Sequence, residues 1–267
     1  MTSAVLRRSL SSRIELQLRI VALLALREIR MKFHESRLSY MLAVAEPAMQ
    51  IAVIFFIFWA MDRQPDFGTS VFLFLITGFI PYLLFTNISS ACAGSIRAAR
   101  GFRHLPSVNP LDIVFARGLL EFLTHALVFF FVLVIMWICG IPDARAVYPD
   151  VAFAAVLASG FLGISVGLLN AVIAHFFLSW RVIYGVLTRS LLFISAVFYV
   201  PDYIPQQARV VIAWNPVLHA IEWFRTAFYM TYPASVLDKG YLLTFSAVCL
   251  TIGLAAERLI RAQDAAA

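Results

Sequence analysis

Six times along its 267 residues the chain stays apolar for about twenty residues or more, between boundaries made of charge, glycine or proline. A helix of that length, rising about 1.5 Å per residue, matches the roughly 30 Å hydrocarbon core of a bilayer. Inside lipid every backbone N–H and C=O must find its partner within the protein, which leaves helices or a closed barrel. Unbroken apolar runs without strict alternation select helices. Composition agrees, with 62% of residues apolar and 13% charged, against about 45–50% and about 25% in soluble domains. That balance excludes a water-soluble fold and a disordered chain alike. It also leaves no length for a large soluble catalytic domain.

The runs are Leu38–Ala60, Thr69–Cys92, Asp112–Cys139, Val151–Phe177, a fifth that follows Ser179-Trp180-Arg181 and reaches about Val200, and Tyr241–Ile260. The expectation is an all-α integral membrane protein with six transmembrane helices. Residues 1–37 form a cytoplasmic N-terminus with an amphipathic interface helix, 38–260 the transmembrane domain, and 261–267 a cytoplasmic tail. No cleavable leader is expected, because the early run Ile20–Leu26 meets Arg27-Glu28-Ile29-Arg30 without a small-residue cleavage site. Between 201 and 239 the pattern changes. Val217–Met230 is too short to span, is interrupted by Glu222 and Arg225, and is parted from Val210–Trp214 by Asn215-Pro216. Two half-helices that dip in and return, a re-entrant pair before the last span, fit that length, with Glu222 and Arg225 pairing one turn apart.

Charge sets the orientation. Fourteen lysines and arginines lie beside span ends on the N-terminal side and five on the other, which places both termini in the cytoplasm. Before the first run, Leu18, Ala22, Leu26, Ile29 and Phe33 share a helical stripe, with Arg27, Arg30, His34 and Arg37 on the neighbouring face and Lys32 close by. Such a helix lies in the membrane surface with its arginines against anionic lipid headgroups, or serves as a plain basic anchor. After the second run, Arg97, Arg100 and Arg103 recur every three residues and His104 follows, a basic ridge that is either solvated or a docking helix for a cytoplasmic partner. Nothing in this distribution calls for nucleic acid.

Ionisable residues within the runs are functional candidates by default. Glu46 precedes Pro47, which frees a backbone carbonyl in the first span. Arg117, Glu121 and His125 repeat at i, i+4 and i+8 and suggest an internal ion pair with a histidine beside it. Cys92, Cys139 and Cys249 have no metal or disulfide spacing and read as packing residues. Aromatic residues gather around the re-entrant region, with Tyr203, Trp214, Trp223, Tyr229 and Tyr232 joining Trp59. Each suits an interface belt. Together, with Arg225 among them, they also suit the border of a path on which rings contact sugar faces.

What the chain lacks narrows the chemistry. Its two lysines sit in Lys32-Phe33 and Lys239-Gly240, so there is no phosphate-cradling Gly-Lys-Ser/Thr loop, and the chain itself binds no cofactor by that route. A His-Glu-x-x-His motif, a Gly-x-Ser-x-Gly motif and paired carboxylates on an external loop are also missing. An integral-membrane enzyme acting on lipid-linked sugars is therefore the weaker class. A secondary transporter would show an inverted repeat, and none is apparent.

The order of these parts resembles the membrane subunits of type-2 ABC exporters, in particular the KpsM-type capsular-polysaccharide and O-antigen permeases of Gram-negative bacteria. The residues that carry the likeness are Leu26-Arg27-Glu28-Ile29-Arg30-Met31-Lys32-Phe33, Ser36-Arg37-Leu38-Ser39-Tyr40, Glu46-Pro47, the arginine-rich loop through Asn109-Pro110, and Asn215-Pro216 followed by Glu222 and Arg225. The resemblance implies an inner-membrane homodimer working with two cytoplasmic ATPase subunits that hold ATP and Mg, and with periplasmic and outer-membrane export proteins. It implies a lipid-linked polysaccharide as cargo, with an O-antigen or a drug as the alternative. It makes the helix with Arg27, Arg30, Lys32 and Arg37, together with Glu46, a gate. The ridge of Arg97, Arg100, Arg103 and His104 becomes the coupling helix, and the re-entrant pair the exit.

Overall fold

The computed structural model describes residues 10–33, 37–99, 101, 109–141 and 144–266, and at 10–14, 18, 31–33, 37–48 and 264–266 the helical backbone alone. It is built from helices: α1 Leu10–Phe33, α2 Arg37–Ala60, α3 Val71–Cys92, α4 Ser95–Ala99, α5 Pro110–Ile138, α6 Pro149–Phe176, α7 Trp180–Ile194, α8 Gln206–Ile212, α9 Pro216–Arg225 and α10 Lys239–Ala266. No strand occurs among the described residues. Among the described residues, four helices are long and apolar enough to cross a bilayer: α3 taken through Ala99, α5, α6, and α10 as far as Gln263. The described side chains of α2, Met49–Ala60, make a shorter apolar stretch.

The centre of the bundle is α3, buried without a break from Leu73 to Thr86. It lies between α5, α6 and α9, and α10 closes over α6. Small residues let α3 and α6 approach closely. A Cβ on Gly163 would stand 2.9 Å from Ile88 Cβ, and one on Gly167 would stand 2.8 Å from Cys92 Cβ. Close backbone approach of this kind lets helices pack where lipid supplies no hydrophobic drive between them.

At one end of the bundle, α1 and α4 pack on the first turns of α5. Leu24 is buried against Ile113 and Ala116, with Ala98 and Ala99 of α4 beside them. Glu257 of α10 holds Arg261 through contacts of 2.7 and 2.8 Å, and Arg261 donates to Asn109 Oδ1 at 3.0 Å, tying the last helix to the start of α5. The other end carries α8, α9 and the loops around them.

The fifth run departs from expectation. Its helix stops at Ile194 after 15 residues and does not continue to Val200. Ala196 adopts a left-handed φ of 60°, which ends the ladder and turns the chain into a short 3-10 segment at Pro201–Tyr203. The second half-helix is likewise shorter than its apolar run, ending at Arg225 and not at Met230.

Candidate functional site

The break after α7 leaves backbone carbonyls in the protein interior that the helix can no longer satisfy. Arg225, at the last turn of α9, supplies the donors. Its Nη1 donates to Ala196 O at 2.9 Å and to Tyr199 O at 3.0 Å, and its Nη2 donates to Val197 O at 2.8 Å. The guanidinium lies over the Phe74 ring, 4.0 Å from the centroid. Gly78 makes room for this, since a Cβ there would meet Val197 O at 2.8 Å and Arg225 Nη2 at 3.0 Å.

Glu222 and Arg225 are both fully enclosed, and their charged atoms stand 4.0 Å apart. Tyr232 bridges them: its hydroxyl donates to Glu222 Oε1 at 2.5 Å and accepts from Arg225 Nη1 at 3.3 Å. Burial raises the Tyr232 phenol above its ordinary pKa, so it remains a donor. Phe67, from the loop after α2, meets Tyr229 and Tyr232 edge-on at 5.4 and 5.3 Å.

The two half-helices are braced where they meet. Asn215 caps α9 by accepting from Val217 N at 3.0 Å, and its amide donates to Ser195 Oγ at 2.8 Å. His219 Nε2 donates to Ala213 O at 2.8 Å, while Nδ1 accepts from Asp238 N at 3.0 Å, which fixes a neutral tautomer. The Val147 and Tyr148 N–H groups both donate to Ala227 O, so the loop before α6 is held to the same assembly.

The aromatic residues expected beside a path separate into two sets. Trp59, Tyr203 and Trp214 are exposed, at 68%, 61% and 74%. Trp223 is partly covered and receives Lys239 at 4.9 Å from its ring centroid. Arg225 and Tyr229 face inward, and their side chains hold the assembly together.

At the opposite end, Arg27 and Arg30 are exposed on α1. The side chains of Lys32, Arg37 and Glu46 lie outside the described ones, as do residues Arg100, Arg103 and His104. Arg97 donates from Nη2 to His175 O at 3.3 Å, so α4 caps the end of α6. Of the residues expected to associate within α5, Glu121 and His125 stand together, with His125 Nδ1 3.4 Å from Glu121 Oε2. Arg117 reaches across to Glu28 of α1 at 3.1 Å, because α1 packs on that face of α5. His125 Nδ1 is also 2.9 Å from Glu121 O, and its Nε2 is 2.8 Å from the Asn87 amide nitrogen of α3. Gln17 of α1 also bonds Asp112. The ties of Arg117 to Glu28, of Gln17 to Asp112 and of His125 to Asn87 were not readable from spacing along one helix, since each joins two elements.

A family model described as ABC-2 type transporter matches residues 20–229, from the second half of α1 through the enclosed Glu222–Arg225 assembly. The chain belongs to the ABC-2 type transporter family. Over 250 residues it is 32% identical to the polysialic acid transport protein KpsM of Escherichia coli, covering 91% of this chain and 94% of that one. It is 24% identical over 245 residues to the capsule polysaccharide export inner-membrane protein CtrC of Neisseria meningitidis, and 26% over 244 residues to BexB of Haemophilus influenzae, each with 90% of both chains covered. This ABC-2 protein is the membrane subunit of a transporter and not an enzyme. Nucleotide binding in such a system belongs to a partner ATPase.

Proposed function

We propose that the chain is the membrane-spanning subunit of an ATP-driven exporter that carries a lipid-linked capsular polysaccharide across the bacterial inner membrane. The observation that carries this reading is the likeness to KpsM along 91% of the chain, a protein named for polysialic acid transport. Six spans cross the bilayer with both termini in the cytoplasm: α2, α3, α5, α6, α10, and α7 together with the chain that follows it to near Val200. The α8–α9 pair re-enters from the periplasmic side, since ten residues of α9 rise only about 15 Å at 1.5 Å per residue. Two copies form the pathway and two ATPase subunits, holding ATP and Mg, dock beneath it. Periplasmic and outer-membrane export proteins receive the cargo.

Within that frame, α1 with Arg27, Arg30, Lys32 and Arg37, and Glu46 in α2, guard the cytoplasmic gate. The segment from Arg97 through Arg100, Arg103 and His104 transmits ATPase motion. The seating of α4 against α1, α5 and the end of α6 supports this, because force applied there reaches three helices at once. Trp59, Tyr203, Trp214 and Trp223 border the exit, with Tyr229 and Arg225 holding its frame. The test is deletion in the host cell. Polysaccharide should then accumulate inside with synthesis intact and return to the surface with a plasmid copy. Normal surface polysaccharide in the deletion strain would sink the reading.

A further inference from the structure

An open cleft of about 660 Å³ runs between α2, α3 and α7, and Arg189 of α7 lies in its wall. The cleft is level with the middle of a spanning helix. Tyr82, halfway along α3, donates to Thr188 O at 2.7 Å, which sets the residue before Arg189 at that height. Arg189 is exposed, and among the described residues it makes no ion pair or hydrogen bond. Among the described side chains that line the cleft, none is acidic. Gln50 of α2 and Ser90 of α3 line it as well, and neither side chain is engaged in a hydrogen bond among the described residues. An unpaired arginine at membrane depth is expensive unless it faces water or a ligand. Its planar fork matches the paired oxygens of a carboxylate or a phosphate.

We propose that Arg189, in a cleft that Gln50 and Ser90 also line, is an anion-binding site that engages the carboxylate or phosphate oxygens of the exported chain as it passes. The proposal rests on the exporter reading above and deepens it. Toward the two ends of the bundle, Arg117 is committed to Glu28 and Arg225 to backbone carbonyls, whereas Arg189 is open to the cleft.

The full-length protein in lipid nanodiscs is titrated with three fluorescent probes of equal length: an oligomer of sialic acid, its carboxyl-reduced neutral form, and that neutral form ending in a glycerol phosphodiester. Arg189→Gln should weaken binding of an anionic probe about tenfold or more, while Arg189→Lys keeps most of it and the neutral probe is unaffected. Loss confined to the sialic acid oligomer assigns the site to sugar carboxylates, and loss confined to the phosphodiester assigns it to the lipid linker. Wild-type protein that binds charged and neutral probes alike would overturn the site, as would unchanged binding by Arg189→Gln. Dissociation of the Arg189→Gln dimer on gel filtration would make the residue an interface contact and also overturn it. Because cellular export by the wild type is scored separately, failure of this site leaves the exporter reading standing.

Discussion

At the scale of single residues, Arg225 does the most. It closes three carbonyls left open by the end of α7, lies on Phe74, and meets Glu222 through Tyr232. Replacing it with methionine keeps the volume and removes every donor. Glu222 is then a buried carboxylate without its cation, a change that costs about 3 kcal/mol or more. Thermal unfolding of the detergent-solubilised variant should therefore occur well below that of the wild type, and an unchanged midpoint would refute the clamp. Gly78→Ala tests the same contact from α3. Its Cβ would press on Val197 O, a backbone atom with little freedom to yield, and overpacking of this kind costs roughly 1–3 kcal/mol. The Arg225 clamp was half legible in the sequence. Glu222 and Arg225 stand one turn apart and suggested a pair, whereas the carbonyls that Arg225 serves lie nearly thirty residues earlier and carry no local mark.

At the scale of elements, most helices could be read from the chain because lipid forces apolar runs into helices whatever their neighbours. Where a boundary depends on tertiary contact, the reading fails. Phe193 to Tyr199 is almost continuously apolar, so the stop at Ile194 is invisible until Arg225 is placed against it. Asn215-Pro216 was legible for the opposite reason, since its capping chemistry is local. Asn215→Ala should cost about 1 kcal/mol through the lost cap and loosen α9 from Ser195, which hydrogen exchange across residues 216–225 would register as faster exchange. The Arg117–Glu28 bridge joins α1 to α5 and is partly exposed. A double-mutant cycle with alanine at both positions should give a coupling of about 0.5–1 kcal/mol, and zero coupling would remove the bridge from the account of how α1 is seated.

At the scale of the whole molecule, the two ends of the bundle divide the work. One seats α1 and α4 on α5, and the other holds the α8–α9 pair on the Arg225 assembly. If α4 and the following residues receive the ATPase, replacing Arg97, Arg100 and Arg103 with glutamate should uncouple ATP hydrolysis from export while the protein still inserts and dimerises. Normal export by that variant would mean the ridge is only solvated. The most direct measurement of the central claim uses proteoliposomes holding this chain and its partner ATPase, with labelled lipid-linked polysaccharide and ATP supplied on the ATPase side. The polysaccharide should become protected from added glycosidase only when both subunits and hydrolysable ATP are present. Protection without the ATPase subunit, or ATP hydrolysis by this chain alone, would contradict it.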